Sequence, residues 1–192
     1  MKNSIIVLGV LVLLFAGAGF VHASEEITGD VGLNIATGPI SGYGTAFGPN
    51  FGVNIDYGVF IKSQSASNIT GNIKFRIDLG YYKHTDSVYG NNVNYTRIPV
   101  FVGGRYFFSQ FNELAFYGEG GLEISSDSRE SGYSFNGRNY KSSYSETRTG
   151  IAAGAGLTFN INPKLYVGAN ARLHSVSDNF FTLGGLVGYR FQ

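Results

Sequence analysis

The stretch Asn72–Tyr81, NIKFRIDLGY, decides the fold. Its large apolar side chains alternate with polar or small ones, so lysine, arginine and aspartate all fall on one side of the run. A period of two is typical of a β-strand with one apolar and one polar face. A shift of one residue would move every charge to the apolar face, so the alternation also sets the strand register.

Seven further runs repeat this alternation, and no stretch after residue 24 has the pattern of a long amphipathic helix. The eight runs are Ile27–Gly38, Phe51–Ile61, Asn72–Tyr81, Arg97–Phe108, Leu114–Ile124, Arg148–Ile161, Leu165–Ser175 and Asn179–Phe191. Most reach the length of about 9–11 residues that a tilted strand needs to cross the hydrocarbon layer. We therefore expect an all-β, eight-stranded antiparallel up-and-down transmembrane β-barrel.

Composition excludes several classes of protein. The 192 residues include 28 glycines, 16 phenylalanines, 13 tyrosines and no cysteine, and the formal net charge is +1. Without cysteine there is no disulfide scaffold and no thiolate metal site. Without a lysine- or arginine-rich run, a nucleic-acid partner is not expected. No compact acidic loop indicates a calcium site, and we expect no metal and no cofactor.

The first 23 residues have the features of a secretory signal peptide. Lys2 supplies a positive charge, Ile5–Ala16 is an apolar core, and Val21-His22-Ala23 suits cleavage before Ser24. The expected organisation is a signal peptide over residues 1–23 and one barrel domain over residues 24–192.

The apolar face could meet lipid, or it could enclose a ligand as in a soluble lipocalin-like carrier. It carries no charge in any run, and its aromatic side chains lie near run ends, as in interfacial girdles. These aromatic residues are Phe51, Tyr81, Tyr106, Phe108, Phe159, Tyr189 and Phe191. Both features favour an apolar face turned outward to lipid, with the soluble periplasmic carrier as the alternative.

The polar face would then fill the interior, because an eight-stranded barrel is just wide enough for side chains. Isolated buried charges are costly, so we expect a closed network of ion pairs in place of an ion pathway. Its predicted members are Asp30, Asp56, Lys74, Arg76, Asp78, Arg97, Arg105, Glu119, Glu123, Arg148, Arg172 and Arg190.

Long and short connections largely alternate along the chain, as in outer-membrane barrels with long extracellular loops and short periplasmic turns. Lys62–Thr70 is the second link, and Val176–Asp178, the seventh, is a short exception to the alternation. The expected long links are the first, third and fifth, which are Pro39–Asn50, His84–Thr96 and Ser125–Thr147. The last contains tyrosines among serines, a composition that suits an adaptable contact surface and equally a solvated loop.

Only one segment resembles a catalytic set. His174 lies near Ser175, Ser177 and Asp178, and a nucleophilic hydroxyl needs a base oriented by an acid. Lipid A deacylases place serine two residues after the histidine, but Val176 stands there in this chain. His174 also falls on the inward face. We therefore expect a non-enzymatic protein, with a lipid A-modifying hydrolase as the alternative.

Several motifs resemble the small outer-membrane β-barrels of Gram-negative bacteria, the family of the OmpA transmembrane domain and OmpX. They are Arg97-Ile98-Pro99-Val100, Gly103–Phe108, Tyr117–Gly121 and Gly188-Tyr189-Arg190-Phe191. Tyr189 and Phe191 resemble the signal read by the barrel-assembly machinery, although Gln192 follows and Leu186 stands where related endings often have glycine. The resemblance implies a monomer in the bacterial outer membrane, in contact with lipid and lipopolysaccharide. It also implies a structural role or surface recognition through the extracellular loops.

Overall fold

The chain folds into a closed antiparallel barrel. The computed structural model describes residues 27–37, 45–62, 70–88, 91–135, 138–176 and 178–191. The strands are β1 (Ile27–Thr37), β2 (Thr45–Lys62), β3 (Thr70–Gly80), β4 (Tyr82–Val88), β5 (Asn91–Phe111), β6 (Leu114–Phe135), β7 (Arg138–Asn160), β8 (Leu165–Val176) and β9 (Asp178–Phe191). Within these residues no helix is long and apolar enough to cross a membrane. The predicted signal peptide lies outside the described residues.

Nine strands make an eight-stranded barrel because β3 and β4 occupy one position in the ring. Each strand pairs antiparallel with its neighbours, and the β1–β2 pairing closes the circle. Leu79 pairs with Val100 and Tyr82 with Arg97, so Pro99 stands opposite Gly80 at the break between β3 and β4. Proline has no N–H to donate, which interrupts the ladder at this point.

The two faces of the barrel have opposite chemistry. Alternate side chains point outward, and Leu33 and Leu122 are 75% and 68% exposed. The residues between them point into the lumen, where Arg76 and Asp78 are 0% and 2% exposed. The soluble-carrier alternative requires an enclosed apolar face, and the observed arrangement is the reverse.

The expected aromatic girdle residues lie on the outer face wherever their side chains are described. Phe51, Tyr81, Phe159, Tyr189 and Phe191 are exposed, with exposed fractions between 41% and 56%. Tyr106 is partly exposed on the same face, and the side chain of Phe108 lies outside the described part.

The prediction of loops is wrong for two of the expected long links, which are mostly strand. Most of His84–Thr96 forms the hairpin of β4 and β5, and most of Ser125–Thr147 forms the hairpin of β6 and β7. Residues 45–50 also belong to β2 and not to a loop. Alternation fails to predict these strand extensions because both faces of the β6–β7 hairpin are polar, so no apolar face marks the period of two.

The two described turns at the opposite end are short, and residues 63–69, between β2 and β3, lie outside the described residues. Asn112 and Glu113 connect β5 to β6, and Asn112 has a φ of 52°, a backbone conformation that asparagine tolerates better than most residues. Residues 161–164 connect β7 to β8. The N-terminal end of β1 and the C-terminal end of β9 meet at this same end, where Ile27 pairs with Phe191.

Candidate functional site

Three arginines and three carboxylates fill the middle of the lumen. Arg76 binds both Asp30, with an Nη2–Oδ1 distance of 2.8 Å, and Asp78. Arg172 reaches across from β8 to Asp78 and Glu119, with nitrogen–oxygen distances of 2.5 Å to each. Arg105 lies 2.7 Å from the other Glu119 oxygen. The formal charges in this group therefore balance.

Aromatic rings fill the space beside these ion pairs. The guanidinium of Arg105 lies 3.9 Å from the Tyr117 ring centroid, and that of Arg172 lies 4.2 Å from Phe101. Tyr117 and Phe101 are 0% and 1% exposed. Each guanidinium is attracted to the face of its ring, and this attraction is stronger in a desolvated site than in water. The layers of side chains leave the lumen packed at its centre.

A second cluster lies on the side of the lumen that leads to the long hairpins. His174 Nδ1 lies 2.5 Å from Glu123 Oε2, and its Nε2 lies 3.0 Å from Thr182 Oγ1. Phe180 stacks on the imidazole with a centroid separation of 4.0 Å. The guanidinium carbon of Arg97 lies 4.8 Å from the centroid of the Phe180 ring.

The hydroxyl–imidazole–carboxylate order of Thr182, His174 and Glu123 is that of a nucleophilic relay. All three residues are at most 3% exposed and point into the lumen. A lipid in the membrane cannot reach such a hydroxyl, because the barrel wall separates them. The arrangement gives each of these three buried side chains a hydrogen-bond partner.

The remaining predicted network members lie away from the centre. Lys74 is partly exposed, with its Nζ 6.0 Å from the Phe107 ring, and Arg148 pairs with Glu146 at 3.0 Å. Arg190 donates to Asn160 Oδ1 at 2.5 Å, near the short turns. The side chain of Asp56 lies outside the described part.

Sequence reasoning misses several interior partners. Asp127 binds Arg97 at 2.5 Å but falls in a predicted loop. It lies four residues after Glu123, at an odd position like Glu119 and Glu123, so extending the alternation past Ile124 would have placed it in the lumen. Uncharged partners carry no signal of their own, such as Tyr166, whose hydroxyl donates to Asp30 at 3.1 Å. Among the described residues, no group of three His, Asp or Glu is placed to hold a metal ion.

The long hairpins form a four-stranded sheet that extends past the ring, which we call the protruding sheet: β4, the start of β5, the end of β6 and the start of β7. The pairing of β7 with β8 begins only at Ile151–Ser175. The pairing of β7 with β6 continues past this point to Arg138, opposite Phe135, so the hairpin extends beyond the β7–β8 pairing. On the outer face the apolar side chains end at Ile98 and Ile124, and Ser126 and Ser128 follow, so this sheet lies beyond the lipid-facing belt.

The inner face of the protruding sheet continues the lumen-facing side chains. Tyr144 donates a hydrogen bond to Glu146 at 3.0 Å, and Arg148 donates to the same carboxylate oxygen. The bonds from Arg148 and Tyr144 lower the pKa of Glu146, and the bond to Glu146 raises the pKa of Tyr144. Tyr140 and Tyr144 remain 41% and 62% exposed.

Solved structures share this architecture. A major outer membrane protein from Thermus thermophilus superposes with a TM-score of 0.60 at 12% identity, covering 88% of this chain and 100% of that one. Ail, the attachment invasion locus protein of Yersinia pestis, in complex with the heparin analogue sucrose octasulfate, gives 0.55 at 19% identity, covering 87% and 97%. OprG of Pseudomonas aeruginosa gives 0.53 at 9% identity, covering 88% and 97%. At these identities the likeness concerns the fold alone.

The family assignment comes from the sequence itself. No curated protein matches the chain. The outer membrane protein beta-barrel domain family matches residues 8–191, which is nearly the whole chain. The closed ring, the apolar outer face and the packed polar lumen agree with this match. The chain therefore belongs to the outer membrane protein beta-barrel domain family of the bacterial outer membrane.

Proposed function

We propose that this protein is a non-enzymatic outer-membrane barrel that recognises a partner outside the cell through its protruding sheet. The observation that carries the proposal is the open inner face of that sheet, where Tyr140 and Tyr144 are exposed among serines and paired charges. Exposed tyrosine among small polar residues is the chemistry of adaptable binding surfaces.

The packed lumen supports a structural role for the barrel itself. The three arginines, their three carboxylate partners and the stacked rings occupy the space through which a solute would pass. Lipid and lipopolysaccharide would surround the apolar belt, and Tyr189 and Phe191, on the outer face, would contact the barrel-assembly machinery. We propose that the protein acts as a monomer and that residues 1–23 are removed on export. Ail, the attachment invasion locus protein, has the same fold and was solved in complex with a heparin analogue, which supports recognition as the role of the hairpins.

The absence of cysteine allows a direct test of topology. Ser143→Cys on β7 and Asn162→Cys in the β7–β8 turn would be compared on intact cells with a membrane-impermeant maleimide. We expect labelling of Ser143→Cys on intact cells, and labelling of Asn162→Cys only after the outer membrane is permeabilised. The reverse pattern would place the protruding sheet in the periplasm and refute the proposal.

Recognition is tested on the same cells. Cells expressing the whole chain would be compared, on arrays of glycans and of extracellular proteins, with cells whose hairpin is shortened by removing residues 129–144. Binding that depends on the hairpin is expected. Array binding that is unchanged when the hairpin is shortened would contradict the recognition role. The non-enzymatic part of the proposal would be contradicted if lipid A from these cells loses acyl chains only when His174 is intact.

A further inference from the structure

One row of side chains crosses the inner face of the protruding sheet, and we call it the aromatic row: His84, Tyr95, Arg129 and Tyr144. The register places His84 opposite Tyr95, Tyr95 opposite Arg129, and Arg129 opposite Tyr144. Adjacent strands lie about 4.8 Å apart, so the two tyrosines stand about 10 Å apart with the guanidinium between them. Two phenol rings, one imidazole and one guanidinium therefore face the same side of an open sheet.

Arg129 is the guanidinium of this row. Its side chain is exposed and lies 5.4 Å from the Tyr95 ring centroid. No carboxylate of the described side chains forms an ion pair with it. Asp127 and Glu146 lie in the next inward-facing row toward the membrane, and each already has a cationic partner: Asp127 binds Arg97 and Glu146 binds Arg148. Asp86 stands on β4, two strands away from Arg129. One cation of the row is therefore open to an external anion.

The tyrosines are placed to receive a flat apolar surface. Tyr144 is 62% exposed, and its hydroxyl is held by Glu146, so the ring is fixed without help from a ligand. A ring held in its bound orientation loses little entropy on binding. Serines surround the row, with Ser131 and Ser142 in the next row toward the tip. Hydroxyl groups there can donate to and accept from a polyhydroxylated ligand.

From this geometry we propose that the aromatic row binds a saccharide unit that carries one carboxylate. The C–H faces of the sugar rings would lie on Tyr95 and Tyr144, and the carboxylate would accept hydrogen bonds from Arg129. Among the described side chains of this face, Arg97 and Arg148 are neutralised by carboxylates, and a single open cation favours a single anionic group over a polysulfated chain. The inference rests on the proposed recognition role and names the ligand class for it.

The test uses the full chain in lipid nanodiscs and two probes, 3′-sialyllactose and lactose, with affinity measured by titration calorimetry. We expect the acidic sugar to bind at least tenfold more tightly than lactose, since a hydrogen bond to a charged group contributes at least about that factor. Arg129→Gln should remove this preference, and Tyr144→Leu should weaken the binding of both sugars.

Lys141→Gln is the matched control, because Lys141 is an exposed cation of the same hairpin that lies on the opposite face. It should change neither affinity. Retained heat-modifiable migration on gels shows that each variant has folded. Equal or absent binding of the two sugars overturns the inference, as does an equal loss in Lys141→Gln and Arg129→Gln. A tetraglutamate peptide that binds as tightly as the acidic sugar overturns it too. If the inference fails while the hairpin still carries array binding on cells, the recognition role stands and only the ligand class is wrong.

Discussion

The balance of charge in the lumen predicts that one substitution destabilises the barrel and that a second one recovers part of the loss. Glu119 accepts hydrogen bonds from Arg105 at 3.0 and 2.7 Å and from Arg172 at 2.9 and 2.5 Å. Glu119→Gln keeps the shape of the side chain but leaves three cations facing two anions. Removing one partner of a buried ion pair costs about 3–5 kcal/mol, and the remaining amide oxygen puts the expected loss near the lower end, about 3 kcal/mol.

Adding Arg105→Met to Glu119→Gln restores an equal number of cations and anions. Methionine also refills part of the space beside Tyr117, because its side chain is flexible and apolar. Since an apolar replacement of a whole buried pair is often neutral or stabilising, we expect the double variant to be more stable than Glu119→Gln by about 1–2 kcal/mol.

The assay is a urea titration of the protein in lipid vesicles, with the folded fraction read from heat-modifiable migration on gels. Glu113→Gln in the exposed β5–β6 turn is the control and should change stability by less than about 0.5 kcal/mol. The reasoning is refuted if Glu119→Gln loses under about 1 kcal/mol, or if the double variant is less stable than the single one.

Three further predictions use the same reconstituted protein. Leu122→Arg on the lipid-facing side should destabilise the barrel by about 2–4 kcal/mol in the urea titration, while Leu122→Ile should have little effect; an equal small change in both would place Leu122 outside the hydrocarbon layer. Gly103→Ala should cost about 1–3 kcal/mol, because its Cβ would strike the Phe101 ring and the Gly120 carbonyl. The outward Gly120→Ala, with 3.9 Å to its nearest neighbour, should stay within about 0.5 kcal/mol, and equal costs would contradict this account. Glu146→Gln should lower the pKa of Tyr144 toward its ordinary value, as measured by NMR of labelled tyrosine; an unchanged pKa would show that the Tyr144–Glu146 bond does not form in solution.

The transmembrane part of the fold was predictable because alternation is local. In Asn72–Tyr81 each residue is assigned to a face by its own position, and the observed burial of Arg76 and Asp78 follows the same alternation. The protruding sheet was not predictable in this way. Beyond Ile124 both faces of β6 are polar, so serine on one side and aspartate or arginine on the other look like a loop.

The ion-pair partners could not be read from the chain at all. Arg172 meets Asp78 and Glu119, which lie 94 and 53 residues away and belong to strands on other parts of the ring. Which side chains meet across the lumen depends on strand tilt and on the β1–β2 closure, and both are properties of the whole barrel. The aromatic row has the same origin, since it exists only when four strands are in register.

The amino-acid sequence alone determined that this protein has strands with two opposite faces, one suited to lipid and one carrying charge, because a strand turns successive side chains to opposite sides. Tertiary structure decided which charges neutralise each other and which tyrosines remain open above the membrane. Those outcomes depend on distances between strands far apart in the chain, and such distances are set only when the ring closes.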